Sequence, residues 1–154
     1  MSVVKTLVLG CGPHWPKRND AIYEDTFLDV IPFSGVDIVH DLNITPWPIA
    51  DASFTSISAI HVVEHLQNLV KFMDECHRIL TPGGSVYIET PLAGADPDLQ
   101  WADPTHVRCY RKHTFINYFT PGHMEKFGYT TKAWCPLHID VRDNCIIFHG
   151  AVIK

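Results

Sequence analysis

No apolar run in this 154-residue sequence approaches the roughly 20 residues that a membrane helix needs. The longest early run, Val3 to Leu9, is interrupted by Lys5 and ends in Gly10-Cys11-Gly12. Neither a basic stretch nor a small-residue cleavage site accompanies it, so it does not read as a secretory signal. A soluble, cytoplasmic protein is the expectation. There is no C-x-x-C pair. Five cysteines (Cys11, Cys76, Cys109, Cys135 and Cys145) stand at wide spacings, and their number is odd. That argues against a disulfide framework and against a structural zinc cluster, and favours free thiols in a reducing compartment. Repeats and low-complexity stretches are missing too. With 46% hydrophobic and 19% charged residues, neither a disordered nor a fibrous chain is expected. Nor is there an excess of basic residues, the net charge being −5. Residues 19–103 carry 14 acidic and 2 basic side chains, whereas residues 104–154 carry 7 basic and 3 acidic ones. Such a body is not that of a general nucleic-acid binder, although its basic part can present a small surface to an anionic substrate. The length predicts one domain over residues 1–154, with a core of its own.

What is present is an α/β alternation. Thr6–Leu9, Thr26–Val30, Val36–Val39, Phe54–Ile60 and Val86–Thr90 read as short buried strands. Leu69, Phe72, Met73, Cys76 and Leu80 share one face of a helix, which Thr81-Pro-Gly-Gly84 should stop. Pro13–Asp20 and Leu92–Pro104 read as polar loops. Phe115, Tyr118 and Phe119 suggest a short helix, with a second turn to Phe127 and Gly128 as its cap. Thr130–Ile139 and Cys145–Ile153 flank a turn at Arg142-Asp-Asn144, which predicts a closing antiparallel hairpin. The alternation implies a mostly parallel sheet whose ligands lie at the carboxyl ends of the strands.

Three motifs occupy such strand ends. The glycines of Leu9-Gly-Cys-Gly12 let backbone pass close to a ligand and expose N–H groups to it. The third glycine of a dinucleotide fingerprint is replaced by Trp15, so a pyrophosphate fits poorly. Asp29 closes the second strand, where an acid can accept both hydroxyls of a ribose. Asp41 follows the third strand, where a carboxylate can accept from an adenine amino group beside Leu42. Each acid also suits a turn or a helix cap.

In this order, Leu-Gly-Cys-Gly12, Leu-Asp29, His-Asp-Leu42, Ile60-His-Val-Val-Glu-His-Leu66 and Arg78-Ile-Leu-Thr-Pro-Gly-Gly84 resemble the class I S-adenosylmethionine-dependent methyltransferases. Within that family the chain is similar to the small type 11 group. The resemblance is concentrated in residues 5–92. It implies a Rossmann-like, mostly parallel seven-stranded sheet with a C-terminal antiparallel hairpin, here without the N-terminal helix. It implies S-adenosylmethionine as cofactor. The backbone of Gly10, Cys11 and Gly12 would pass under its methionine part, and Asp29 would hold the ribose. Asp41 and Leu42 would frame the adenine, with Ile60 and His61 beside the transferable methyl. The family's first helix after the glycine loop is weak or absent here, and Thr55 stands in place of a usual Asp.

Trp101-Ala-Asp-Pro-Thr-His106 lies in the loop expected to cover the pocket. Asp103 can orient His106, and His106 can take a proton from the acceptor; His61 is the second choice. Asp103 can equally cap a helix that has Pro104 at its first position. Arg108, Arg111 and Lys112 can bind an anionic group on the substrate, or form a solvated face. Trp15 and Trp101 lie in loops near the expected pocket, as stacking partners or rim packing. His61-Val-Val-Glu-His65 matches the H-x-x-E-H of inverzincins, but spans a strand end and a helix start rather than one helix. No metal is expected.

The expected function is methyl transfer to an unidentified acceptor, a small molecule or a nucleic acid, with the basic run favouring an anionic one. A non-catalytic S-adenosylmethionine-binding or partner subunit is the alternative, with a nicotinamide oxidoreductase behind it. Pairing of two copies would complete an open pocket.

Overall fold

The computed structural model describes residues 3–154. Its first element, β1 (Val4–Leu9), is followed by β2 (Tyr23–Asp29), the two-residue β3 (Ile38–Val39) and β4 (Phe54–Ile60). Helix α1 (Leu69–Ile79) leads directly into β5 (Leu80–Pro91). Two short helices, α2 (Pro97–Trp101) and α3 (Lys112–Phe119), precede the hairpin of β6 (Trp134–Arg142) and β7 (Cys145–Val152). The seven strands form one sheet in the order β3-β2-β1-β4-β5-β7-β6. The β3 to β5 pairings are parallel, and β7 is antiparallel to both β5 and β6. This is the seven-stranded, mostly parallel sheet that the resemblance implied.

The topology fixes where a ligand can sit. From β1 the chain moves one way to β2 and β3, then returns past β1 to β4 and β5. Leu9 pairs with Leu28 on one side and Ala59 on the other, so β1 stands at the switch point, where the connections leaving β1 and β4 run to opposite sides of the sheet. A crevice opens at their carboxyl ends.

Helix α1 forms because Leu69, Phe72, Met73, Cys76 and Ile79 make one buried stripe against the sheet. Phe72, Met73, Cys76 and Ile79 are each at most 1% exposed, and full burial of a large apolar side chain stabilises by about 1.5–3 kcal/mol. Asn68 caps the start by accepting from the Lys71 N–H at 3.0 Å. The helix ends one residue earlier than expected. Thr81-Pro-Gly-Gly84 is not a loop but the first part of β5, where the pairing to β4 shifts register between Phe54 and Ser56. The bulge absorbs the proline and the glycines. Phe115 stacks on Phe148 at 5.0 Å, tying α3 to the hairpin.

No helix follows the glycine loop: residues 13–22 are irregular. Arg18 fastens this segment to the sheet, its backbone N–H and guanidinium meeting Asp25 at 2.9–3.0 Å. Lys17 pairs with Asp37. The segment expected to be a loop throughout, Leu92–Pro104, instead contains α2. Asp96 caps it and Pro97 takes its first position.

Candidate functional site

A cavity of about 490 Å³ occupies the crevice, lined among others by Gly10, Asp29, Asp41, Leu42, His61 and Val62. Gly10 and Gly12 both have φ of +59°. A Cβ on Gly10 would lie 2.7 Å from a methyl of Val62, so both backbone and space require glycine. Asp29 is 8% exposed. Its Oδ2 accepts the Gly12 N–H at 3.0 Å and its Oδ1 the Ile31 N–H at 2.9 Å. Those bonds lock the carboxylate and leave a second lone pair on each oxygen. Asp41 accepts from the Asn43 backbone and side chain at 2.9 and 3.0 Å.

Of the eight residues expected around the cofactor, Gly10, Asp29, Asp41, Leu42 and His61 therefore border one cavity. Cys11 turns away into a small apolar cluster with Val8 and Phe27; burial, then the negative charge of Asp29, pushes its thiol pKa up. Gly12 holds Asp29 from beneath, and Ile60 ends β4 without lining the cavity. Trp15 and Trp101 are exposed and do not line it.

His61, directly after β4, has φ of +53°, a conformation that costs a non-glycine residue about 1–3 kcal/mol. Its Nδ1 meets Glu64 Oε1 at 3.1 Å, and that hydrogen bond raises the imidazole pKa against an opposing effect of burial. Glu64, 1% exposed, also accepts from the Thr90 hydroxyl at 3.0 Å. The H-x-x-E-H stretch is thus a strand end and a single 3-10 turn, Val63–His65, not the helix that a zincin needs.

The expected Asp103–His106 pair does not form. Asp103 accepts the Thr105 N–H and hydroxyl at 2.8 and 2.7 Å, and the hydroxyl bond is the main cause of its lowered pKa. Short Asp side chains bond the backbone two residues on more readily than a side chain three residues away. Nor does Asp103 cap a helix. His106 Nδ1 lies 2.7 Å from the Gln100 carbonyl instead. Thr105 in turn meets His65 Nδ1 at 2.8 Å, and both line the cavity. In the sequence Glu64 and His65 stand out only through the H-x-x-E-H match, and Thr105 not at all. The Asx-turn pattern Asp-x-Thr was the available signal.

Among the three cations, Arg108 borders a separate groove of about 260 Å³ with Tyr118 and Tyr129, its Nε donating to the Gln67 carbonyl at 2.9 Å. The Arg111 guanidinium reaches toward Gly94, and Lys112 opens α3.

The family model for a methyltransferase domain matches residues 9–129. A probable S-adenosylmethionine-dependent methyltransferase of Mycolicibacterium smegmatis is 41% identical over 121 residues, covering 75% of this chain and 40% of that protein. A demethylmenaquinone methyltransferase of Chlorobaculum parvum is 32% identical over 88 residues, covering 52% of this chain and 36% of that protein. The chain spans about two fifths of the length of these curated relatives. A SAM-dependent methyltransferase structure from Archaeoglobus fulgidus superposes with a TM-score of 0.65 at 14% identity, over 97% of this chain and 86% of that one, a likeness of fold. Matched from the end of β1 to beyond α3, the chain belongs to the methyltransferase-domain family.

Proposed function

We propose that this domain binds S-adenosylmethionine in the crevice and transfers its methyl group to an acceptor that enters beside His61. The observation that carries this reading is the glycine loop paired with Asp29. Backbone that only Gly10 permits and a locked carboxylate border the same cavity of about 490 Å³. That volume lies in the range of small-ligand sites. The residues fit the cofactor: polar Asp29 and Asp41 suit ribose and adenine, while apolar Leu28, Leu42 and Leu66 exclude water. When bound, S-adenosylmethionine supplies an electrophilic methyl on a positively charged sulfur, which departs as a neutral thioether.

The chain's own part is alignment, which contributes several kcal/mol to such a displacement. Gly10 to Gly12 and Asp29 hold the donor, and His61 contacts the acceptor. The positive charge of Arg108, Arg111 and Lys112, on the stretch linking the cavity to α3, favours an acceptor bearing an anionic group. Replacing His61 with Ala is expected to lower kcat about 100-fold, through misplacement of the acceptor, with cofactor affinity nearly unchanged. Steady-state kinetics beside a binding titration separates the two.

The primary test is calorimetric titration with S-adenosylmethionine and S-adenosylhomocysteine. The wild-type chain should bind each at one equivalent, and Asp29→Ala should bind at least about tenfold more weakly, the effect of losing hydrogen bonds to a charged group. No binding to the folded wild-type chain would overturn the proposal. A second reading, a non-catalytic binding or partner subunit, draws on the missing helix over residues 13–22. Methyl transfer to any acceptor removes it.

A further inference from the structure

Beside the cofactor cavity stands a set of side chains that the reading above does not use. One ligand-type atom from each of Glu64, His65 and His106 lies within 4.8 Å of the other two. The hydrogen bonds around the imidazoles define their tautomers. A carbonyl can only accept, so His106 Nδ1, 2.7 Å from the Gln100 oxygen, carries the proton. Thr105 gives its hydroxyl proton to Asp103 at 2.7 Å and therefore accepts from His65 Nδ1 at 2.8 Å. Each neutral ring is left with its lone pair on Nε2. Among the hydrogen bonds of the described residues, neither Nε2 has a partner. The rings meet edge to face, with centroids 4.7 Å apart.

The three residues are also held together by backbone. Val107 and Arg108 both donate their N–H to the Glu64 carbonyl, at 2.9 and 3.2 Å, clamping the Asp-Pro-Thr-His segment onto the Val63–His65 turn. Glu64 is buried, and each of its oxygens makes one hydrogen bond, to His61 or to Thr90. A carboxylate has about four lone-pair sites, so two stay free.

We propose that Glu64, His65 and His106 form a binding site for a divalent transition metal, of which Zn²⁺ is the probe, with an open position toward the cavity. Two imidazoles whose outer N–H groups are fixed by a carbonyl and by a hydroxyl–carboxylate pair are arranged as metal-bound histidines are. Two nitrogens and one carboxylate suit Zn²⁺, Fe²⁺ or Mn²⁺ rather than Ca²⁺ or Mg²⁺, which favour oxygen alone. Metal–ligand bonds of about 2.0–2.2 Å bring ligand atoms to roughly 3.4 Å from one another, a closure of at most about 1.4 Å from their spacing here. His65 and Thr105 border the cavity, so the set adjoins the space that the acceptor enters. A metal there would hold an acceptor oxygen and favour its deprotonated form. That last role rests on the methyltransferase reading; the binding site itself does not. The other mixed set, His61, Glu89 and Cys145, is weaker, because burial pushes the Cys145 thiol pKa up and so disfavours the thiolate that a metal binds.

The test uses the chelator-treated full chain without cofactor. Calorimetry with Zn²⁺ and visible absorption with Co²⁺ should show one equivalent. The double variant His65→Ala/His106→Ala should lose that equivalent and its absorption bands. A control variant, His113→Ala/His123→Ala, should keep both. Thr105→Val leaves all three ligands but frees His65, and should weaken Zn²⁺ about 10–100-fold. Circular dichroism shows whether each variant is folded. Equal Zn²⁺ stoichiometry and affinity in the wild type and a folded double variant would overturn the site and leave edge-to-face packing as the explanation. Titration with S-adenosylhomocysteine reads the cofactor cavity separately, so failure of one proposal is not mistaken for failure of the other.

Discussion

Glu75 shows how a single side chain joins local chemistry to the stability of the core. It is 8% exposed and accepts from Arg78 Nε and Nη2 at 2.9 and 2.7 Å, and from the Trp47 N–H at 2.7 Å. Burial alone would raise its pKa, but the Arg78 and Trp47 hydrogen bonds outweigh burial and lower it from 4.5. A depressed carboxylate pKa adds stability above the unfolded value and loses it as pH falls through the folded one. The stability difference between wild type and Glu75→Gln should therefore be about 1.5–3 kcal/mol near neutrality. It should shrink progressively below pH 4.5, starting from the unfolded pKa. Urea unfolding of both proteins across this range checks it; a difference that does not change with pH would refute the ion-pair account. At this scale the sequence is legible where a residue's role follows from its place on a strand. Asp29 and Asp41 sit at strand ends, and Gly10 precedes a turn with positive φ. It is illegible where roles depend on distant partners. Nothing in residues 47 and 75 announces their hydrogen bond, 28 positions apart. Asp103 misleads because the expected partner, His106, is near in sequence, whereas the nearer Thr105 takes the carboxylate.

Elements repeat the lesson with different physics. The Asp-Pro signature of a helix start occurs twice, at Asp96-Pro97 and Asp103-Pro104. Only the first begins a helix. After the second, the N–H groups of Val107 and Arg108 are taken by the Glu64 carbonyl, so the chain follows a tertiary hydrogen bond rather than its local propensity. The stripe of α1 and the hairpin turn were readable from spacing alone, the turn because Asp143 and Asn144 tolerate φ of 49° and 64°. Within that hairpin, Gly150 faces the ring of Phe148, whose nearest atom would lie 2.5 Å from an added Cβ. The ring cannot yield easily, because it stacks on the fully buried Phe115. Gly150→Ala is expected to destabilise by about 1–3 kcal/mol, the usual effect of overpacking. For a chain of this size that lowers Tm by about 2–4 °C per kcal/mol. Differential scanning calorimetry measures it, and an unchanged Tm would show that β7 has more slack than the contact implies.

At the scale of the whole molecule, the cavity is assembled from segments far apart in the chain. Gly10 follows β1, Asp29 ends β2, Asp41 and Leu42 follow β3, and His61 to Leu66 follow β4. Thr105 comes from the stretch between α2 and α3. A ligand in that space touches both halves of the sheet, and unfolding either half releases it. Binding free energy therefore adds to global stability. At a ligand concentration 100 times Kd the added stability is about 2.7 kcal/mol, which corresponds to a rise in Tm of about 5–11 °C. S-adenosylhomocysteine should produce that shift in the wild-type chain as one cooperative transition. Asp29→Ala, with weaker binding, should shift less at the same ligand concentration. The irregular segment 13–22 makes this outcome informative, because it is tied to the sheet by the ion pairs Arg18–Asp25 and Lys17–Asp37 and by a few backbone hydrogen bonds, such as Asp25 N–H to Arg18, rather than by a helix of its own. Were that segment to melt on its own, the ligand would sharpen an early, separate transition and leave the main one in place. A single shifted transition means the loop and sheet respond to the ligand as one unit.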